Sequence, residues 1–293
     1  MIKEIYNNIA NERKKQFMKN FFDIKSNIQK QYDADNINLK ENNYTRQLRD
    51  YYNSTIKKRL NIEFDELENI HKNVSEEFTT YDFDFGINDL TKSLYEMDEE
   101  FISIYHDFIR NWVDKEIGKG RKFWFQKTPT IRVHCPGTNS RKVYPAYHND
   151  MFLGHHPYEL NIWIPLTYKR LEGHGFNIMS VSDSKKILEP YDFDIFKYYA
   201  EVRDHDNPAF KITDDKSKPV STDFGEILLF DLRSIHSTMP MSGQTRVSMD
   251  VRIIFDEDKN NHPFAHTGLG RMKTPFEPGK YYYQNAVQNS NFL

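Results

Sequence analysis

Cysteine is nearly absent: Cys135 stands alone in 293 residues. That excludes an intramolecular disulfide and fits a reducing compartment. Nowhere is there an apolar run of the roughly 20 residues that a membrane helix needs. The opening stretch "MIKEIYNNIANERKKQFMKNFFDIKSN" holds no uninterrupted apolar segment of signal-peptide length. An excess of either charge is missing too, with 40 basic and 43 acidic residues and a net charge of −3. No basic stripe points to nucleic acid, and no acidic tail points to a solvating arm. These absences lead us to expect a cytoplasmic protein, monomer or homodimer, that works on a small molecule and binds neither nucleic acid nor membrane. What is abundant is apolar and aromatic: 38% and 15% of the chain. A chain of this length with that content can bury a substantial core.

Residues 1–118 read as an N-terminal helical region. The segment "LTKSLYEMDEEFISIYHDFIRNWVDKEIG" sets Leu94, Met97, Phe101, Ile104, Tyr105, Phe108 and Trp112 on one stripe, and Gly118 and Gly120 end it. Residues 33–90 are polar and fit neither pattern well. After Gly120 the character changes. "FWFQKTPTIRVHCPG", "ELNIWIPLT", "GFNIMSVSD", "GEILLFD" and "RVSMDVRIIF" are short, rich in β-branched and aromatic residues, and punctuated by Gly, Pro, Asn and Asp. Strands at this spacing predict an α+β chain, mainly β from 119 to 293, folded as a sandwich, jelly roll or barrel. Residues 185–221 interrupt the strands as one long mixed insertion, the kind that serves as a lid or binding loop.

The chemistry gathers in two places. In "YPAYHNDMFLGHHPYELNIWIPLT", His148 and Asp150 are at i and i+2, so in extended chain both side chains leave one face. Alone this is weak, since roughly one such triplet arises by chance among eleven histidines. In "GEILLFDLRSIHSTMPMSGQTRVSMDVRIIF", His236 follows an apolar strand in a turn-like segment, and Arg246 and Ser248 come ten and twelve residues later. Arg246, Ser248, Asp250 and Arg252 share one face of that strand, with Val247, Met249, Val251 and Ile253 on the other. A guanidinium beside a hydroxyl makes a carboxylate clamp. Two histidines and one carboxylate form the facial triad of non-haem Fe(II) oxygenases, whose open positions accept a 2-oxo acid and dioxygen.

On "TPTIRVHCPG", "AYHNDMFLGHHPYELNIWIPLT" and "HSTMPMSGQTRVSMDVRIIF" the chain resembles the Fe(II)/2-oxoglutarate-dependent oxygenases. The wider likeness is to their phytanoyl-CoA dioxygenase-like branch. The nearer one is to oxygenases of carbohydrate and aminoglycoside biosynthesis clusters, of the streptomycin-biosynthesis type. It covers about residues 120–285. It implies a double-stranded β-helix, a jelly-roll barrel in residues 119–293. It implies that His148, Asp150 and His236 bind iron and that Arg246 and Ser248 hold 2-oxoglutarate, with Arg252 the competing arginine. Because Asp150 keeps the carboxylate that related halogenases lack, the resemblance favours a dioxygenase that hydroxylates or otherwise oxidises a small polar metabolite, such as a sugar-derived biosynthetic intermediate.

Further site candidates follow from position. Asn161 shares a strand face with Trp163 and is placed to donate to the C1 carboxylate of 2-oxoglutarate. Arg132 and His134 share a face and suit a cavity wall, as do His155 and His156 on a substrate loop. Two other readings stay open. One is a metal-independent cupin-type sugar epimerase or isomerase, with His148 as base and Asp150 orienting it. The other is a non-catalytic carbohydrate-binding jelly roll.

Overall fold

The structure is a computed structural model and describes residues 12, 15–82, 87–136, 147–153, 155–169, 175–239, 243–260 and 276–285. Ten strands build two sheets around the site: β1 Asn36–Lys40, β2 Phe123–Gln126, β3 Thr130–His134, β4 Leu160–Pro165, β5 Phe176–Ile178, β6 Lys218–Pro219, β7 Glu226–Asp231, β8 His236–Thr238, β9 Arg246–Phe255 and β10 Tyr282–Gln284. The main sheet runs β1–β7–β4–β9–β2–β10, with β3 also paired to β9; the small sheet runs β8–β5–β6. Every pairing within them is antiparallel. Two antiparallel sheets enclosing a site form the jelly-roll arrangement expected from the sequence, with helices packed outside it.

The register of β9 explains the layering. Val247 faces Val133, Met249 faces Ile131 and Ile164, and Val251 faces Ile162. These side chains all point to one face, where they join Leu48, Tyr52, Phe101, Tyr105 and Phe108 in the largest core cluster. The covering helices are α1 Asn43–Leu60 and α2 Glu99–Asp107, the second running on as a π-helical segment, Phe108–Gly118. The helix of the apolar stripe therefore starts later than its pattern suggests. Asp98 accepts a hydrogen bond from the Phe101 amide and caps it, which leaves Leu94 and Met97 ahead of its first turn. The opposite face of the main sheet meets the small sheet through Trp163, Leu228 and Phe230 against Phe176, Ile178 and Val220.

Strand β1 lies within the polar stretch of the N-terminal region and pairs along β7 at the sheet edge. Its exit is fixed by Glu41, which accepts from the amides of Asn43, Tyr44 and Thr45 and satisfies the open N-terminus of α1. Gly225 enters β7 at φ 88°, and a Cβ there would collide with Asn42 Oδ1. Helix α3 Val181–Leu188 begins four residues ahead of the expected insertion at 185–221, which holds α4 Ile195–Val202 and α5 Pro208–Lys216. They bury Leu188, Ile195, Tyr198 and Phe210 against Tyr147 and Met151, flanking the H-x-D segment. None of the described helices is long and apolar enough to cross a membrane.

Cys135 follows β3 and is buried; burial pushes its thiol up to about 11, against a hydrogen bond from Thr245. We expect no reaction with a thiol reagent at pH 8 in the native protein and one equivalent after denaturation. Colorimetric titration of the thiol with and without guanidinium checks this.

Candidate metal centre

His148, Asp150 and His236 come together between the two sheets. Their ligand atoms lie within 4.8 Å of one another, the one such group among the described residues. His236 opens β8 rather than sitting in a turn, and it forms an antiparallel bridge with His148: each backbone N–H donates to the other's carbonyl, at 3.0 and 2.8 Å. That bridge brings the two rings to 4.6 Å between centroids. Asp150 then starts a short 3-10 turn, Asp150–Leu153, which puts its carboxylate beside both imidazoles. Asp150 Oδ1 is 3.8 Å from His148 Nε2 and 3.5 Å from His236 Nε2.

The supporting bonds decide which atoms face inward. His236 Nδ1 lies 3.0 Å from the Ser234 carbonyl, so it carries the proton and leaves the Nε2 lone pair for a metal. Asp150 Oδ2 accepts from Asn161 Nδ2 and from Arg252 Nη2, both at 2.8 Å, which leaves Oδ1 toward the histidines. Burial opposes ionisation of Asp150, but Arg252 and then His236 outweigh it and hold its carboxyl well below the usual carboxylate range. A carboxylate locked as an anion beside two imidazoles is a donor set suited to Fe(II), with coordination positions left open.

Arg246 and Ser248 lie on the same inner wall, on β9. Arg246 faces His134 and Ser248 faces Arg132 across the β3 pairing. Arg246 donates to the Gly175 carbonyl and its Nη2 lies 2.8 Å from His134 Nδ1. A guanidinium can only donate, so His134 Nδ1 accepts and the ring is neutral. Burial, then Arg246, then Arg132 push the His134 pKa well below its ordinary value, in agreement. Ser248 Oγ is fully buried with no hydrogen-bond partner. A buried hydroxyl costs about 1–3 kcal/mol when unpaired, and one beside a guanidinium is what a carboxylate ligand would satisfy.

Asn161, expected to meet the cofactor, is instead bonded to Asp150 through its amide nitrogen. Arg252, the competing clamp arginine, is bonded to Asp150 as well, at the register position opposite Asn161. His155 Nδ1 lies 3.0 Å from Glu159, and its backbone N–H donates to the Asp150 carbonyl; Glu159 also accepts from the Tyr282 hydroxyl. His156 accepts from the Tyr158 amide and packs on Phe276. Neither histidine joins the metal group. Glu159 and Tyr282 escape sequence reading because their link spans 123 residues. Replacing Asn161 by Ala should weaken iron binding by roughly 10–100-fold, the usual cost of removing a group that orients a ligand; anaerobic equilibrium dialysis measures it.

No family model matches the chain. It is 27% identical over 163 residues to the streptomycin biosynthesis protein StrG of Streptomyces griseus, a span covering 54% of this chain and 59% of that one. Among solved structures, the non-heme alpha-ketoglutarate-dependent carbocyclase SnoK from nogalamycin biosynthesis shares 13% identity at a TM-score of 0.46, covering 86% of this chain and 92% of that one. EctD from S. alaskensis with bound Fe shares 10% at 0.40, covering 75% and 73%. Likenesses at such scores leave the chemistry to be read from the side chains. By its H-x-D, His236 and Arg-x-Ser residues the chain resembles the Fe(II)/2-oxoglutarate-dependent oxygenases of the streptomycin-biosynthesis type.

Proposed function

We propose that this protein is an Fe(II)- and 2-oxoglutarate-dependent dioxygenase that hydroxylates or otherwise oxidises a small polar metabolite. The observation that carries the reading is the presence of two complementary clusters. One is the His148–Asp150–His236 group, and the other is the Arg246–Ser248 clamp with its unsatisfied buried hydroxyl. His148 and His236 would bind the metal through Nε2 and Asp150 through Oδ1, while Asn161 and Arg252 fix the carboxylate's orientation. Arg246 would take the far carboxylate of 2-oxoglutarate through its fork and Ser248 would add a third bond, with neutral His134 aiming the guanidinium. Iron with 2-oxoglutarate supplies the oxidising power, using dioxygen and releasing succinate and carbon dioxide. The protein's share is orientation and exclusion of water, and Trp163, Phe176 and Phe230 supply an apolar wall beside His236. Residues 119–293 would form the oxygenase domain, and residues 1–118 would brace the outer face of its main sheet and lend that sheet its edge strand β1.

A metal-free acid–base reading would need Asp150 to orient a single His148. Its Oδ1 is shared between two imidazoles instead, which favours the metal reading. The test is anaerobic visible absorption on adding Fe(II) and then 2-oxoglutarate. A weak charge-transfer band that requires both is the expected result; retention of neither overturns the proposal.

A further inference from the structure

One carboxyl on the inner wall has no role in either cluster. Asp250 lies on β9 between Ser248 and Arg252, with Trp163 and Thr130 opposite it on the neighbouring strands. Arg252, two residues on, reaches Asp150, so this face points at the metal group. Asp250 is half-buried, and no described residue donates a hydrogen bond to its carboxyl or pairs with it as an ion. Both Asp150 and His236 feel its charge. Burial pushes its own pKa up, while Arg252 and Arg132 favour the ionised form. A half-buried acceptor with no protein donor, on a wall otherwise rich in donors, is open to a hydroxyl from water or from a ligand.

The geometry points to Asp250 as a substrate-specificity residue, one that accepts hydrogen bonds from the hydroxyl groups of a ring-sized polyol. This rests on the proposed oxygenase reading and names the substrate class for the same site. Arg252 and then Arg132 act most on Asp250, with Arg246 further along the strand; all three can only donate, and Arg252 already donates to Asp150 while Arg246 would hold 2-oxoglutarate. A hydroxyl group donates to a carboxylate and accepts from a guanidinium, so a polyol matches both. An ammonium would gain Asp250 but face the Arg132 guanidinium, from which it cannot accept a hydrogen bond. An anion would gain Arg132 but face Asp250.

The experiment is anaerobic calorimetry on the full chain, with Fe(II) and 2-oxoglutarate present, using six-membered rings that differ in chemistry. The probes are myo-inositol and methyl glucoside, cyclohexylamine, and cyclohexanecarboxylate. A polyol should bind the wild type and bind Asp250→Asn and Asp250→Ser roughly 10–100-fold more weakly, the usual worth of a hydrogen bond to a charged group. Melting temperature and the iron–2-oxoglutarate band should stay unchanged in both variants. Polyol binding that survives in both variants overturns the inference, as does preference for the amine or the acid over every polyol. A band in all three proteins with no Asp250 effect sinks the inference alone. Asp250-dependent polyol binding without a band sinks the iron reading and leaves Asp250 standing as a polyol contact.

Discussion

Changing Asp150 to Ala is expected to abolish iron retention, the charge-transfer band and succinate formation together. The loss should exceed the roughly hundredfold that removal of a merely supporting group costs, because one of only three donor side chains goes. A second effect follows from the packing. Arg252 is buried and its Nη2 donates to Asp150 Oδ2 at 2.8 Å, so Asp150→Ala strands a guanidinium away from water. Breaking a buried pair from one side costs about 3–5 kcal/mol, and chemical denaturation should register it. Asp150→Ala combined with Arg252→Met separates the two effects: stability should recover in large part and iron binding should not. Full turnover in Asp150→Ala with iron and 2-oxoglutarate would remove Asp150 from the metal group.

What the sequence made legible was whatever alternation encodes. In β4 and β9 every second residue is apolar, and those residues do pack under the helices, while Asn161, Arg246, Ser248, Asp250 and Arg252 face inward. Composition also shows the change of character near Gly120 and a long break in the strands, but not that the helices begin at Val181 or that Lys218–Pro219, inside the expected insertion, rejoins the small sheet as β6. Partnerships across the sheet could not be read that way. Asn161 and Arg252 both looked fit to meet 2-oxoglutarate, and only the register that sets them opposite each other shows both holding Asp150. Strand β1 does alternate, with Ile37 and Leu39 turned to the core between exposed Asn36, Asn38 and Lys40, but five residues inside a polar stretch do not stand out until β7 pairs with them. His236 looked like a turn residue because β8 is three residues long and is defined by its partners, Phe176–Ile178 and His148, rather than by its own pattern.

The same register separates the two arginines by experiment. Arg246 sits opposite His134 at the start of β9, with one nitrogen on the Gly175 carbonyl and the other on His134 Nδ1. Arg252 sits six residues further along, on Asp150. Arg246→Lys keeps the charge but loses the planar fork, so it should raise the 2-oxoglutarate concentration for half-maximal band formation roughly 10–100-fold. Iron retention should be unaffected, since no atom of Arg246 supports the metal group. Ser248→Ala should raise the same requirement by about tenfold or less, a neutral hydrogen bond being worth less than a charged one. Because both side chains would grip one carboxylate, their effects should fall short of adding in the double variant. Arg252→Lys should show the opposite pattern, with weakened iron binding and, once iron is saturating, a normal 2-oxoglutarate requirement. If Arg252→Lys raises the 2-oxoglutarate requirement while Arg246→Lys leaves it alone, the clamp lies at the other end of the strand, and Ser248 would lose the carboxylate that explains its buried, unpaired hydroxyl.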